Sequence, residues 1–169
     1  MEKEIDSKLD MKSKMMAIYS QHKGKLYSFI LLLIVIAISL FFLNIKSEKE
    51  NRLISQKYIQ AGLYLTMNKE KQALSLYDEI LSSKNKFYSI LALNTLLEKN
   101  LVTDSQKILN YFKSVEAVIK NQEQLDLIIY KKALYLLKIS KPEDANLILK
   151  KLINNNSKLK LLAEELIVK

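Results

Sequence analysis

Acid–base, metal and nucleophilic chemistry all need side chains that this 169-residue chain scarcely has. His22 is the single histidine and cysteine is absent, so a zinc site or a nucleophile–histidine pair has no second member. Glu143-Asp144 and Glu164-Glu165 are adjacent acidic pairs, but neighbours on a helix point to different sides. They predict solvated faces, not a paired acid and base. There is no glycine-rich phosphate loop, the chain holding only two glycines. The expectation is a protein without catalytic residues, cofactor, metal or small-molecule substrate. The lack of cysteine also excludes disulfides and says nothing of compartment.

The other chemistry on offer is charge. The net charge is +9, which raises the question of nucleic acid. Arg52 is the single arginine among 27 basic residues, whereas base readout leans on the forked guanidinium. No lysine cluster is interleaved with aromatics for base stacking. The lysines predict solvated helix faces, and nucleic acid is disfavoured as a partner.

The elements that must position any surface are helical. With one proline, two glycines and no Asn-Gly or Asp-Gly pair, hairpin signals are missing and apolar residues recur at three and four. The first element is LYSFILLLIVIAISLFFL, Leu26 to Leu43, eighteen residues without charge, proline or glycine. As a helix it reaches about 27 Å, close to the hydrocarbon thickness of a bilayer. Its apolar side chains cover every face, unlike those of an amphipathic core helix. Tyr27 suits an interface, and Ser28 and Ser39 can bond back to their own backbone. Ala37-Ile38-Ser39 has the spacing of a signal-peptide cleavage site, but Leu40 to Leu43 carry the apolar run past it. The expectation is an uncleaved single-pass transmembrane helix over 26–45, in contact with the lipid bilayer. A short charged leader precedes it at 1–25, read as a flexible or interfacial tail with a weak stripe of Ile5, Leu9, Met16 and Tyr19. Four basic residues lie close on each side (Lys12, Lys14, Lys23, Lys25; Lys46, Lys49, Arg52, Lys57), so charge does not orient the helix.

A juxtamembrane helical linker, 46–56, follows without a breaker, and 57–169 reads as punctuated helices. Helices are expected over about 50–67, 70–81, 87–99, 104–120, 123–139 and 141–153, with a short last one to the C-terminus. Asn68-Lys69, Ser82 to Asn85, Asn100 and Asn154 to Asn156 mark stops. Thr103 with Gln106 and Ser140 with Glu143 have capping-box spacing, Pro142 falls in a first turn, and Ser157 is placed to cap the last helix.

The helices pair, and the pairs are alike. Ala61 and Tyr64 are followed by Ala73 and Tyr77; Ala133 and Leu136 by Ala145 and Leu149; each alanine step is twelve residues. Ala92 with Thr95, then Asp104 with Ile108, keep these offsets with weaker residue types. Ala163 is placed to begin a capping helix. Small residues let helices cross closely, and a large one a turn away fills the adjoining gap. AGLYLTMNKEKQALSLYDEIL resembles the tetratricopeptide repeat, which carries this small–aromatic, alanine–aromatic pattern. It departs in Lys57, where tryptophan is typical, and Asn85, where proline is. The fold class expected is all-α: one N-terminal transmembrane helix, then a degenerate tetratricopeptide-type solenoid of helical pairs.

In such a stack the first helix of each pair lines the concave side. The resemblance thereby implies a partner-binding face of Tyr58, Leu65, Ser89, Leu93, Leu96, Tyr130, Leu134 and Lys138. The order of leader, helix and small repeat domain is similar to the bacterial YfgM-type membrane-anchored family. That resemblance implies an inner-membrane protein, leader cytoplasmic and domain periplasmic, whose partners are the SecYEG translocon and periplasmic chaperones. The function expected is a membrane-anchored protein-binding scaffold. The alternative is a structural accessory subunit of a larger membrane complex.

Overall fold

The computed structural model describes the backbone of residues 2–167. Within the first helix it describes side chains at 24, 25, 27–29, 31–39, 41, 42 and from 45 onward. Every described element is helical: α1 Glu2–Thr66, α2 Glu70–Ser82, α3 Lys86–Glu98, α4 Ser105–Val118, α5 Gln122–Lys138, α6 Pro142–Asn154 and α7 Lys160–Leu166. Two compact units result, Met1–Lys49 and Glu50–Lys169.

In the first unit, α1 takes in the leader that was expected to be a tail. The sequence gives a reason, since no proline or glycine precedes Gly24. The side chains of Ile5, Leu9, Met16, Tyr19 and His22 lie outside the described residues. Ser28 and Ser39 donate to the carbonyls of Gly24 and Val35, 3.0 and 2.8 Å away, which satisfies both hydroxyls within the helix. Phe29, residues 31–36, Ile38, Phe41 and Phe42 are all exposed. Among the described residues no helix is long and apolar enough to cross a membrane. Leu26, Ile30, Leu40 and Leu43 of the apolar run fall outside that description.

The second unit is built from pairs: the end of α1 with α2 through Lys57–Glu79 and Tyr58–Tyr77, α3 with α4, α5 with α6, and α7 against α6. Ala61, Ala73, Ala92, Ala133, Ala145 and Ala163 are all wholly buried, as the small-residue argument requires. Tyr77, Leu136 and Leu149 are buried as well, and Tyr64 packs half-buried at the edge. The outer two pairs correspond residue for residue at an offset of 72: Ala61 with Ala133, Ala73 with Ala145, Tyr77 with Leu149.

The chain turns between helices without glycine. Asn68, Lys84, Asn100, Ser140 and Asn156 all have positive φ, between 50° and 59°, and neither glycine does. At four of these junctions the next N–H reaches back to the carbonyl five residues earlier: Lys69 to Tyr64 (2.8 Å), Leu101 to Leu96 (3.2 Å), Lys141 to Leu136 (2.9 Å) and Ser157 to Leu152 (3.0 Å). This closure satisfies end carbonyls that would otherwise be orphaned.

That closure corrects the capping assignments. Ser140 is the left-handed residue ending α5 (φ 58°), so it cannot also be the extended N-cap of α6. Lys141 takes that place without a side-chain cap. At α4 the cap is Asp104, not Thr103; its Oδ1 accepts from the backbone N–H of Gln106 (2.8 Å) and Lys107 (3.2 Å). Ser157 does not cap α7 directly. Its Oγ accepts from Leu159 N at 3.2 Å and donates to buried Asp126, tying the α6–α7 turn to α5.

The middle pair explains the uneven spacing. Asp104, twelve residues after Ala92, is an exposed cap and not a packing position. Counting from the caps Lys69, Asp104 and Lys141, the equivalents of Ala73 and Ala145 fall on Ile108. Second helices therefore recur at 35 and 37 residues, near the regular period, while the first helices recur at 31 and 41. The loop from Lys99 to Asp104 absorbs the difference.

Two stability predictions follow from these junctions and contacts. Ala133→Leu overfills a closed crossing and is expected to cost about 1–3 kcal/mol in urea unfolding. Lys84→Gly relieves a left-handed β-carbon and is expected to stabilise by about 0.5–1 kcal/mol.

Candidate partner-binding groove

The expected concave face divides sharply. Ser89, Leu93 and Leu96 are 1%, 0% and 0% exposed, so they are core residues and offer nothing to a partner. The cause is the central place of α3, which packs against both α2 and α4. Ser89 also gives its hydroxyl to the carbonyl of Ile80 at 3.2 Å. Tyr58 is half-buried, its ring against Tyr77 and Tyr88 and its hydroxyl 3.3 Å from Thr95 Oγ1. Leu65 and Tyr130 pack half-buried against the two cores. Of the eight, only Leu134 and Lys138 are exposed.

Those two lie in a groove of about 240 Å³ with Leu97, Lys131 and Tyr135. It runs between α3 and α5. On α5, Leu127, Lys131, Leu134 and Lys138 recur at four, three and four residues, which puts them on one stripe. The stripe alternates apolar and cationic side chains. Lys131 Nζ donates to Asn94 Oδ1 at 2.8 Å and Lys138 Nζ to Asn100 Oδ1 at 2.6 Å. Both partners are neutral amides. They orient the ammonium groups and cancel none of their charge.

Counting from the small residues missed Lys131, Leu97, Tyr135 and the two asparagines. Lys131 was readable from the i, i+4, i+7, i+11 stripe on α5. Asn94 and Asn100 lie on another helix and carry no local signal.

A larger depression of about 380 Å³ lies where α4, α5 and α6 meet, lined by residues that include Leu109, Lys113, Lys132, Asp144 and Leu147. There Lys132 already pairs with Glu116 at 2.9 Å, and Asp144 adds a negative charge. Its electrostatics are close to balanced. The smaller groove has the stronger unbalanced charge.

On the other side, α2 and α4 are joined by a polar cluster. Asp78 accepts from the Tyr111 hydroxyl and from Lys107 Nζ, the latter at 3.0 Å. Burial, then the Asp78 carboxylate, push the Tyr111 phenol up to about 12. The hydrogen bonds to Tyr111 and then to Asp78 raise the Lys107 ammonium. Both favour the protonated form, so the contribution is full below about pH 10 and fades as pH rises through about 12. Among the described residues no three of His, Cys, Asp and Glu gather as a metal site.

No family model, curated protein or solved structure matches this chain.

The polar cluster generates a pH prediction. Unfolding stability falls between pH 10 and pH 12, and Tyr111→Phe makes that fall shallower, as followed by chemical denaturation of both proteins across the window.

Proposed function

We propose that the chain is a single-pass membrane protein whose tetratricopeptide-type repeat domain holds a segment of a protein partner between α3 and α5. The observation that carries this reading is the groove: the apolar side chains Leu97 and Leu134, flanked by Lys131 and Lys138 on neutral asparagines. Its complement is a peptide segment alternating apolar and acidic side chains. Apolar contacts supply affinity, and the lysines select charge and register. No catalytic step is assigned.

The anchor reading is supported by the uncharged run Leu26 to Leu43 within α1 and by the exposure of its described side chains. Only six residues separate Leu43 from Glu50, the first residue of the repeat unit. A partner is thus met near the membrane surface. Resemblance to the YfgM-type family names the translocon and its periplasmic chaperones as the partners to test first, and an inner-membrane location with the domain outside the cytoplasm.

A photo-crosslinking residue at Leu134 in the full chain, in native membranes, tests the groove. One defined partner is expected at that position. Lys131→Glu with Lys138→Glu should reduce capture at least tenfold without changing helicity. Capture unaffected by the double reversal, or no capture at all, overturns the reading. A C-terminal reporter that tells cytoplasm from exterior tests the topology separately.

A further inference from the structure

The end of α1 has a second apolar face that the pair packing does not use. Its inner side carries Ile54, Tyr58, Ala61 and Leu65, which are buried or half-buried in the core. On the other side Leu53, Ile59, Leu63 and Met67 are 51%, 68%, 51% and 52% exposed, with Gln56 and Gln60 among them. All six lie within about 120° of the helix circumference at 100° per residue.

The 72-residue correspondence shows what this face is. Leu53, Gln56, Leu63 and Met67 stand where α5 and its end carry Leu125, Ile128, Tyr135 and Ile139. In α5, Ile128 is 1% exposed in the first core cluster, and Leu125 packs against it. Tyr135 lies with its ring 6.0 Å from that of Phe112 on α4. At Leu125, Ile128 and Tyr135 the preceding helices cover α5, whereas Ile139 packs against the second cluster with α6 and α7. At α1 no preceding pair exists in the repeat unit, yet Leu53 and Leu63 stay apolar at two of those three positions.

We infer that this face of α1 is an association surface for a second copy of the chain, the two α1 helices packing in parallel along Leu53, Gln56, Gln60, Leu63 and Met67. These five are spaced three, four, three and four, the repeat of a two-helix seam. Symmetry sets each seam residue near its own copy, which suits glutamine because an amide both donates and accepts. Gln60 gives one amide N–H to the Tyr64 hydroxyl at 3.1 Å, leaving its second N–H and its oxygen for its own copy. The area matters too. A seam of two heptads buries on the order of 900 Å² in total, below the roughly 1,200–2,000 Å² of stable interfaces. The pairing is therefore weak between free chains and is strengthened when both copies share one membrane. Its parallel sense and that strengthening rest on the anchor reading, whereas the face itself does not.

The absence of native cysteine permits single-cysteine scanning of the full chain in proteoliposomes under mild oxidation. Disulfide-linked dimers are expected at Leu53→Cys, Gln56→Cys, Gln60→Cys and Leu63→Cys. Ser55→Cys and Gly62→Cys, off the seam on the same helix, should give at least tenfold less. In the same proteoliposomes, adding Leu63→Glu and Met67→Glu to Leu53→Cys should cut its disulfide-linked dimer at least tenfold with circular dichroism unchanged. Equal crosslinking around the helix overturns the inference and points to pairing through the anchor alone. Preferential linkage of Leu63→Cys to Leu161→Cys overturns it in favour of head-to-tail stacking. Linkage of Leu53→Cys to Met67→Cys overturns the parallel arrangement, and a monomer throughout overturns the whole.

Discussion

Close approach of helices at buried alanines is the constraint on which the repeat unit depends. A side chain no larger than a methyl group at positions 61, 73, 133 and 145 lets backbones come together. The large residues one turn on, Tyr77 and Leu149, then fill the space left between them. Where the second-helix alanine is replaced by Ile108, the chain compensates with a longer loop, and Phe112 and Val115 carry the packing. The charged network sits outside this scheme. Lys57–Glu79, Lys107–Asp78 and Lys132–Glu116 bridge helices at their margins, where solvent limits an ion pair to a small share of stability.

Much of this was legible in the sequence because alanine spacing is a local, one-dimensional signal. Every alanine singled out for packing is buried, and the helix order follows the punctuation by asparagine and serine. What escaped was set by competition for a single residue. Ser140 has the composition of an N-cap, but the preceding helix needs that residue to close in the left-handed region, and closure wins. Asp104 matched the alanine offset numerically, while its carboxylate is better placed accepting two backbone N–H groups. A short side chain that bonds to backbone is read correctly only when both helices it separates are considered.

The groove was half legible. Leu134 and Lys138 followed from the repeat register, but the register assumes equal curvature at each pair. The middle first helix is covered on more sides than its neighbours, so Ser89, Leu93 and Leu96 vanish into the core. The two lysines gain their fixed direction from Asn94 and Asn100, contacts that bridge 37 and 38 residues. Such pairings are set by the stacking of helices, which no local window reveals.

The core itself is in two parts, and α5 belongs to both. Ile128 lies in the cluster built from α1 to α4, whereas Ala133 and Leu136, a little over one and two turns further on, lie in the cluster of α6 and α7. A repeat array unfolds as a chain of neighbours, each stabilised by the contacts it shares. Here α5, with Leu109 of α4 beside it, transmits that mutual support. Loosening α5 loosens both clusters, so the cooperativity of the repeat unit passes through the helix that carries Leu134, Lys131 and Lys138.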